Sequence, residues 1–198
     1  VATVGTATDD IQKIKSLIKA GVNVFRLNFS HGNHGDHLKR VTYIRSAENV
    51  LGCNVAILAD LQGPKFRIGK VKENIKVIKG STYIFDKKTE IGDFNRVNLS
   101  HNEIYESLSI GSNILMDDGK LQFRVKDISK DIIKTEVIFG GYIKSNKGVN
   151  LPDVVLNTSP LTSKDIEDLK FILNQEIDWI ALSFVQKLRD VEEVKKYV

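Results

Sequence analysis

The chain has 198 residues, with 29 Lys and Arg against 25 Asp and Glu, one Cys and one Met. Hydrophobic residues at 41% and charged residues at 27% describe a globular chain rather than a disordered one. No apolar run approaches the ~18 residues of a membrane helix, a single Cys makes no internal disulfide, and a net charge of +4 does not by itself argue for nucleic acid.

The first sixty residues alternate short apolar strands with amphipathic helices. Val1–Gly5 reads as a strand. Thr8 is placed to cap a helix, with Asp9 and Asp10 near the positive end of its dipole. Ile11, Ile14, Leu17 and Ile18 follow at helical spacing and Gly21 ends the run. Asn23–Ser30 is a second strand. Asp36–Leu51 is a second helix, with Leu38, Val41 and Ile44 on one face and Gly52 at its end. Asn54–Leu61 is a third strand. From Pro64 to Pro160 the helical period disappears. Short alternating segments take over, separated by Gly80, Asp117-Asp118-Gly119, Ser129-Lys130-Asp131 and Gly140-Gly141, which read as hairpin signals of an all-β insertion. The β/α rhythm then resumes. Thr162 and Asp165 form a capping pair, Ile166, Leu169, Ile172 and Leu173 a helical stripe, and Trp179–Phe184 a fourth strand. Val191 and Val194 begin a helix with no stop signal before the chain ends, which reads as truncation.

The expected fold is α/β: residues 1–63 and 161–198 form the first four β/α units of an incomplete (β/α)8 TIM-type barrel, and residues 64–160 form an inserted small β-barrel domain. A closed barrel takes about 250 residues, more than remain outside the insertion. The lone Met is Met116, and Val1 opens without a basic leader, so the expectation is either that a leader was removed or that the sequence was cut from a longer one. The lack of a secretory signal reads as cytoplasmic, with no membrane partner.

Chemistry concentrates where strands end. Side chains alternate along a strand, so Arg26, Asn28 and Ser30 share one face, and Phe25, Leu27 and Phe29 share the other. In a parallel barrel the aromatic and aliphatic face meets the helices. A guanidinium, an amide and a hydroxyl then point inward, where each needs a partner. At the C-terminal mouth that partner is usually a ligand. The planar fork of Arg suits phosphate or carboxylate; an internal structural network is the other reading. Asp60 ends the third strand and awaits neutralisation by a metal or by Arg26; it could equally be a turn former. Arg67 is a second anion-binding candidate, and Ser183 ends the fourth strand. His31, His34 and His37 around Asp36 do not make a zinc site, because glycines and a helix start separate them and no Cys supports them. Cys53 reads as an inert small residue. No P-loop and no G-x-G-x-x-G occur, so a nucleotide would be held another way.

The run Asn23-Val24-Phe25-Arg26-Leu27-Asn28-Phe29-Ser30-His31-Gly32 resembles the signature of the pyruvate kinase family. Asp60-Leu61-Gln62-Gly63-Pro64-Lys65-Phe66-Arg67, Met116-Asp117-Asp118-Gly119 and Lys147-Gly148-Val149-Asn150-Leu151-Pro152 follow in the family's order, as does Ala181-Leu182-Ser183-Phe184. The resemblance implies a barrel interrupted after its third strand by a β lid. It also implies phosphoryl transfer from phosphoenolpyruvate to ADP, giving pyruvate and ATP, with Mg²⁺. Residue by residue, it implies that Arg26 contacts the transferred phosphate and acts in catalysis with Arg67, and that Ser183 lines the substrate site. Asn28, Phe29, Ser30, His31, Arg67 and Lys147 would approach the nucleotide. Asn28, Ser30, Asp60 and the carbonyl of Leu61 would match a monovalent-cation site. The family is usually tetrameric, so a homotetramer is implied for the full-length protein.

Two departures shape the expectations. Lys65 stands where potassium-dependent members carry Glu; an ammonium there could replace the K⁺ charge, so activity without K⁺ is expected, unless Lys65 points to solvent and K⁺ still binds. The family's catalytic Lys and its Mg²⁺-binding acidic residues lie on later strands, so these 198 residues alone are expected to be inactive. Two other readings stay open at this point. One is an enolpyruvate-binding carbon–carbon lyase, which has no use for Arg67, Lys147 or the insertion. The other is a basic β module binding nucleic acid through Tyr83, Phe85, Phe123, Arg124 and Tyr142, against which acidic residues are freely mixed.

Overall fold

The computed structural model describes residues 1–73, 75–156 and 158–198. In chain order the elements are β1 (Ala2–Val4), α1 (Ile11–Lys19), β2 (Val24–Asn28), α2 (His34–Leu51), β3 (Ala56–Asp60), β4 (Ile75–Val77), β5 (Thr82–Asp86), β6 (Arg96–Asn98), α3 (Asn102–Ser107), β7 (Asn113–Met116), β8 (Leu121–Ile128), β9 (Ile132–Phe139), β10 (Gly141–Ile143), β11 (Val149–Asn150), α4 (Ser163–Ile172), β12 (Trp179–Ala181) and α5 (Leu188–Val194). They divide into two compact units: Val1–Pro64 with Ser159–Val198, and Lys65–Thr158.

The first unit holds a parallel sheet in the order β1-β2-β3-β12. Helices α1 and α2 connect its first three strands, and α4 leads into β12. Phe25 and Leu27 of β2 and Ile57 and Ala59 of β3 are buried, in one core with Ile14 of α1, Val41, Ile44 and Ala47 of α2, and Leu169 and Ile172 of α4. The alternate residues Arg26, Asn28, Leu58 and Asp60 are half-buried on the opposite face. A one-residue slip would expose Phe25 and Leu27 and push Arg26 among the helices. Each buried large apolar side chain contributes roughly 1.5–3 kcal/mol, so this register is firmly held.

Several local expectations change. Thr8 does not cap α1. Its hydroxyl accepts from Gly5 N–H inside a 3-10 turn over Thr6–Thr8, and Asp10 takes the cap, accepting from Gln12 and Lys13 N–H. Helix α2 starts two residues earlier than expected, because Asn33 and Asp36 form a reciprocal capping box. Leu38 lies on its solvent side, 46% exposed, and the buried stripe runs His37, Arg40, Val41, Ile44, Ala47. Strand β2 stops at Asn28, where the Asn28 side chain accepts from Ser30 N–H and turns the chain. Strand β12 stops at Ala181, and Phe184 turns with φ of +60°. Leu173 follows the end of α4 and is exposed. The Thr162–Asp165 capping box caps α4 as its spacing predicts.

The second unit is not all-β: α3 lies within it. Its six-stranded sheet runs β11-β7-β8-β9-β5-β6, with β4 and β10 paired separately. Tyr83, Phe85 and Phe123 pack ring against ring at the centre of its core. Asp117-Asp118-Gly119 and Ser129-Lys130-Asp131 turn the β7–β8 and β8–β9 hairpins. Gly80 and Gly140-Gly141 do not turn hairpins. Strand β5 pairs with β9 and β6 rather than β4, and β10 leaves β9 to pair with β4. At Gly140 the reason is contact: an added Cβ would stand 2.4 Å from the Val77 carbonyl oxygen.

Candidate active site

The C-terminal ends of the first unit's strands gather a polar layer. Asn28 lies opposite Asp60 across β2 and β3, and Asp60 lies opposite Ala181 on β12. Arg26 donates through Nε to Asp60 Oδ2 at 2.8 Å, and its Nη2 donates to the same oxygen. Its Nη1 donates to Thr3 Oγ1 of β1 at 3.2 Å. Ser183 Oγ donates to the other carboxylate oxygen, Oδ1, at 3.3 Å. Of the partners open to Asp60 in the sequence, the fold brings Arg26 onto one of its oxygens. The group retains a third of its side-chain exposure at Arg26 and a sixth at Asp60, so it is reachable by a ligand.

The loop after β2 is held from three sides. Phe29 N–H donates to Asp60 O at 2.9 Å, Lys164 Nζ donates to Phe29 O at 2.8 Å, and the His37 ring stacks on the Phe29 ring with centroids 4.0 Å apart. Lys164 also pairs with the buried Asp168, whose other oxygen lies 2.8 Å from His34 Nε2. His37 Nε2 lies 3.0 Å from His31 O. A carbonyl only accepts, so Nε2 carries the proton and Nδ1 is bare; Nδ1 is buried without a partner. Burial lowers the His37 pKa from 6.5, with the Arg40 charge acting the same way. Thr3, Lys164, Asp168, His34, His37 and Arg40 were not singled out as site residues from the sequence. Lys164 and Asp168 come from α4, more than 130 positions away, and local spacing carries no sign of that; His34, His37 and Arg40 lie on α2 just after the loop, and Thr3 reaches Arg26 from β1. His31 is exposed, Ser30 is half-buried, and Leu61 is buried with its N–H donated to Ala181 O.

The second unit brings together the cations expected to approach a nucleotide. Arg67 bridges to Gly148, and its Nη1 donates to Asn146 O at 2.8 Å. Lys147 Nζ lies 2.6 Å from Asp117 Oδ1, and this hydrogen bond holds the Asp117 carboxyl below its ordinary range. Asp117, Asp118 and Asn146 all adopt left-handed backbone, so this corner is built from tight turns. Lys65 is exposed.

Oxygen donors of amide, hydroxyl, carboxylate and carbonyl type at Asn28, Ser30, Asp60 and Leu61 suit a hard monovalent cation. Among the described residues, no group of three or more His, Cys, Asp or Glu is placed to hold a metal ion. His34 faces Asp168 and His37 faces the His31 carbonyl, so the histidine triplet is split between two separate partners.

The family model for the pyruvate kinase barrel domain matches residues 1–198. The chain belongs to the pyruvate kinase family. It is 45% identical over 200 residues to a pyruvate kinase of Agrobacterium vitis, covering all of this chain and 42% of that protein. It is 40% identical over 201 residues to pyruvate kinase 2 of Synechocystis, covering 98% of this chain and 34% of that protein. The crystal structure of a pyruvate kinase from Cryptosporidium parvum superposes with a TM-score of 0.93 at 32% identity, covering the whole chain and 41% of its own. The chain thus spans about two fifths of the pyruvate kinase of Agrobacterium vitis that it matches. Family membership sets aside the lyase and nucleic-acid readings. Among the described residues, no helix is long and apolar enough to cross a membrane.

Proposed function

We propose that this chain forms the substrate-side part of an enzyme that transfers the phosphoryl group of phosphoenolpyruvate to ADP, giving pyruvate and ATP. The observation that carries this reading is Arg26, held by Asp60 at the C-terminal strand ends with Thr3 and Ser183 beside it, within a chain of this family. A guanidinium fixed by a carboxylate is a preorganised cation. It needs no reorganisation when negative charge spreads over the transferred phosphoryl oxygens.

Arg26 contacts that phosphoryl group and Ser183 lines the phosphoenolpyruvate site. A β-phosphate oxygen of ADP attacks phosphorus, the bond to the enol oxygen breaks, and the enolate is left to take a proton. Asn28, Phe29, Ser30 and His31 of the first unit approach the nucleotide phosphates, as do Arg67 and Lys147 of the second, which acts as a lid and excludes water. Residues 1–63 and 161–198 form the first four units of a TIM-type barrel. Mg²⁺, when bound, would neutralise phosphate charge; its ligands and the family's catalytic Lys are expected outside these 198 residues, and without them the chain would be inactive. Asn28, Ser30, Asp60 and the Leu61 carbonyl would hold a monovalent cation, and Lys65 supplies a positive charge that makes K⁺ dispensable. The full-length protein is a cytoplasmic homotetramer.

The test is pyruvate formation from phosphoenolpyruvate and ADP by the full-length protein with Mg²⁺, with and without K⁺. Turnover supports the reading, and turnover indifferent to K⁺ supports the role of Lys65. No turnover in either condition overturns it.

A further inference from the structure

The chain passes twice between its units, after Pro64 and after Thr158. Within the first unit, one side chain grips the flanks of both passages. Asp165 is fully buried at the start of α4. Its Oδ1 accepts the Gly63 N–H at 3.1 Å, one residue before the outgoing passage. Its Oδ2 accepts the Thr162 N–H at 2.9 Å and the Thr162 hydroxyl, just after the returning one. Helix capping alone accounts for the Thr162 bonds, but not for the bond to Gly63, 102 positions away.

Gly63 has no room for a side chain. Its φ is +67°, and a Cβ there would stand 2.6 Å from Phe184 Cδ2 and 3.1 Å from Ser183 Cβ. The peptide is therefore wedged between the β12 turn and the Asp165 carboxylate. The returning segment has a second tie, the Ser159 hydroxyl to Glu193 Oε1 of α5 at 2.7 Å.

We infer that Asp165 is a positioning residue: it fixes both passages as pivots of the inserted unit, and so governs delivery of Arg67 and Lys147 during phosphoryl transfer. This rests on the function proposed above. A carboxylate offers two acceptor oxygens and an amide only one, so Asp165→Asn must release either Gly63 or Thr162. Loosened pivots leave the phosphoenolpyruvate cluster intact but misplace the cations of the inserted unit, so the rate falls rather than substrate binding.

The experiment uses the full-length protein. Asp165→Asn is expected to lower kcat at least about tenfold while KM for phosphoenolpyruvate stays within about threefold, since misplacement acts on the reacting geometry. Asp165→Glu, which keeps both oxygens, should recover part of the loss. Hydrogen exchange reads the clamp without any reaction: the Gly63 or Thr162 amide should exchange about tenfold faster or more, while Ile57 and Leu169 amides stay protected. Should Asp165→Asn fail to fold, Thr162→Val carries the test, with a smaller kcat loss expected in the same direction. Unchanged exchange at both amides overturns the clamp. Faster exchange with unchanged kcat overturns the pivot role. A wild-type protein without phosphotransfer overturns the function and the pivot role together, while the exchange result still decides whether the clamp exists.

Discussion

Arg26 donates both Nε and Nη2 to a single oxygen of Asp60, Oδ2, and Asp60 Oδ1 is left to the Ser183 hydroxyl. The guanidinium therefore keeps Nη1 on Thr3, and its side chain stays one third exposed. This pairing is planar and directional, so a cation of equal charge does not replace it. Arg26→Lys should lower kcat/KM for phosphoenolpyruvate in the full-length protein by about 10²-fold or more, the loss found when a preorganised donor is removed. Asp60→Asn should lower it too, by releasing Arg26. Steady-state kinetics checks both, and activity within twofold of wild type would count against Arg26 as the phosphate contact.

Lys65 is exposed, on the first residue of the second unit. Its proposed role as the replacement for a bound K⁺ has a direct consequence. The wild type should turn over equally in Na⁺ and K⁺ buffers. Lys65→Glu should create a requirement for K⁺, because the carboxylate adds a negative charge that a bound cation offsets. Initial rates across a K⁺ titration decide this. A K⁺ requirement already present in the wild type would show that the Lys65 ammonium acts only as a solvated charge.

Much of the first unit is legible in sequence because its strands obey a period of two. Phe25, Leu27, Ile57 and Ala59 are buried, and Arg26, Asn28 and Asp60 sit opposite them, as alternation demands. The pattern fails where polar groups enter the core. His37 and Arg40 break the apolar stripe of α2, so apolar spacing points to Leu38, which faces solvent. What makes His37 tolerable inside is the His31 carbonyl and the Phe29 ring, contacts made by the turn that leads into α2, which apolar periodicity does not register. Asp165 shows the same limit. Its capping of α4 follows from spacing, whereas its bond to Gly63 depends on the closure of a long excursion through the second unit. In that unit Gly80 and Gly140 fit turn chemistry, but partner choice among β4, β5, β9 and β10 is decided by packing.

The buried neutral His37 makes stability depend on pH. Its folded pKa lies below the unfolded value of 6.5, with burial the main cause; Arg40 and Lys164 lower it further, and Asp168 and the His31 carbonyl oppose them. Below 6.5 the unfolded state binds the proton more readily. The His37 contribution is therefore fully present above pH 6.5 and is lost as pH falls from there through the folded pKa. Protonation would place an N–H at Nδ1, which is buried with no acceptor. His37→Gln should flatten the acid limb of the stability profile. Urea midpoints between pH 5 and pH 8 test it; parallel limbs in wild type and variant would assign the acid sensitivity to other groups.

The opposite ends of the strands carry a separate polar network. Arg45 of α2 donates to the Val55 carbonyl at 3.0 Å, to the Glu176 carbonyl at 2.7 Å, to Glu48 at 2.9 Å and to Asp178 at 2.7 Å. Asp178 and Glu48 in turn accept the Ile57 and Val55 N–H groups that begin β3. The carboxylates raise the Arg45 pKa against the opposing effect of burial. In barrels of this type the N-terminal face serves stability and the C-terminal face serves chemistry. Arg45→Met keeps the stem and removes the charge, leaving Glu48, Asp178 and two carbonyls short of a donor. The variant should lose about 2 kcal/mol or more of stability. Its kcat, measured well below its melting temperature, should stay within twofold of wild type, because Arg26, Asp60 and Ser183 lie at the other end of the sheet. Urea denaturation and steady-state kinetics on the same preparation separate the two effects. A large fall in kcat with unchanged stability would mean that the strand-start network reaches the site.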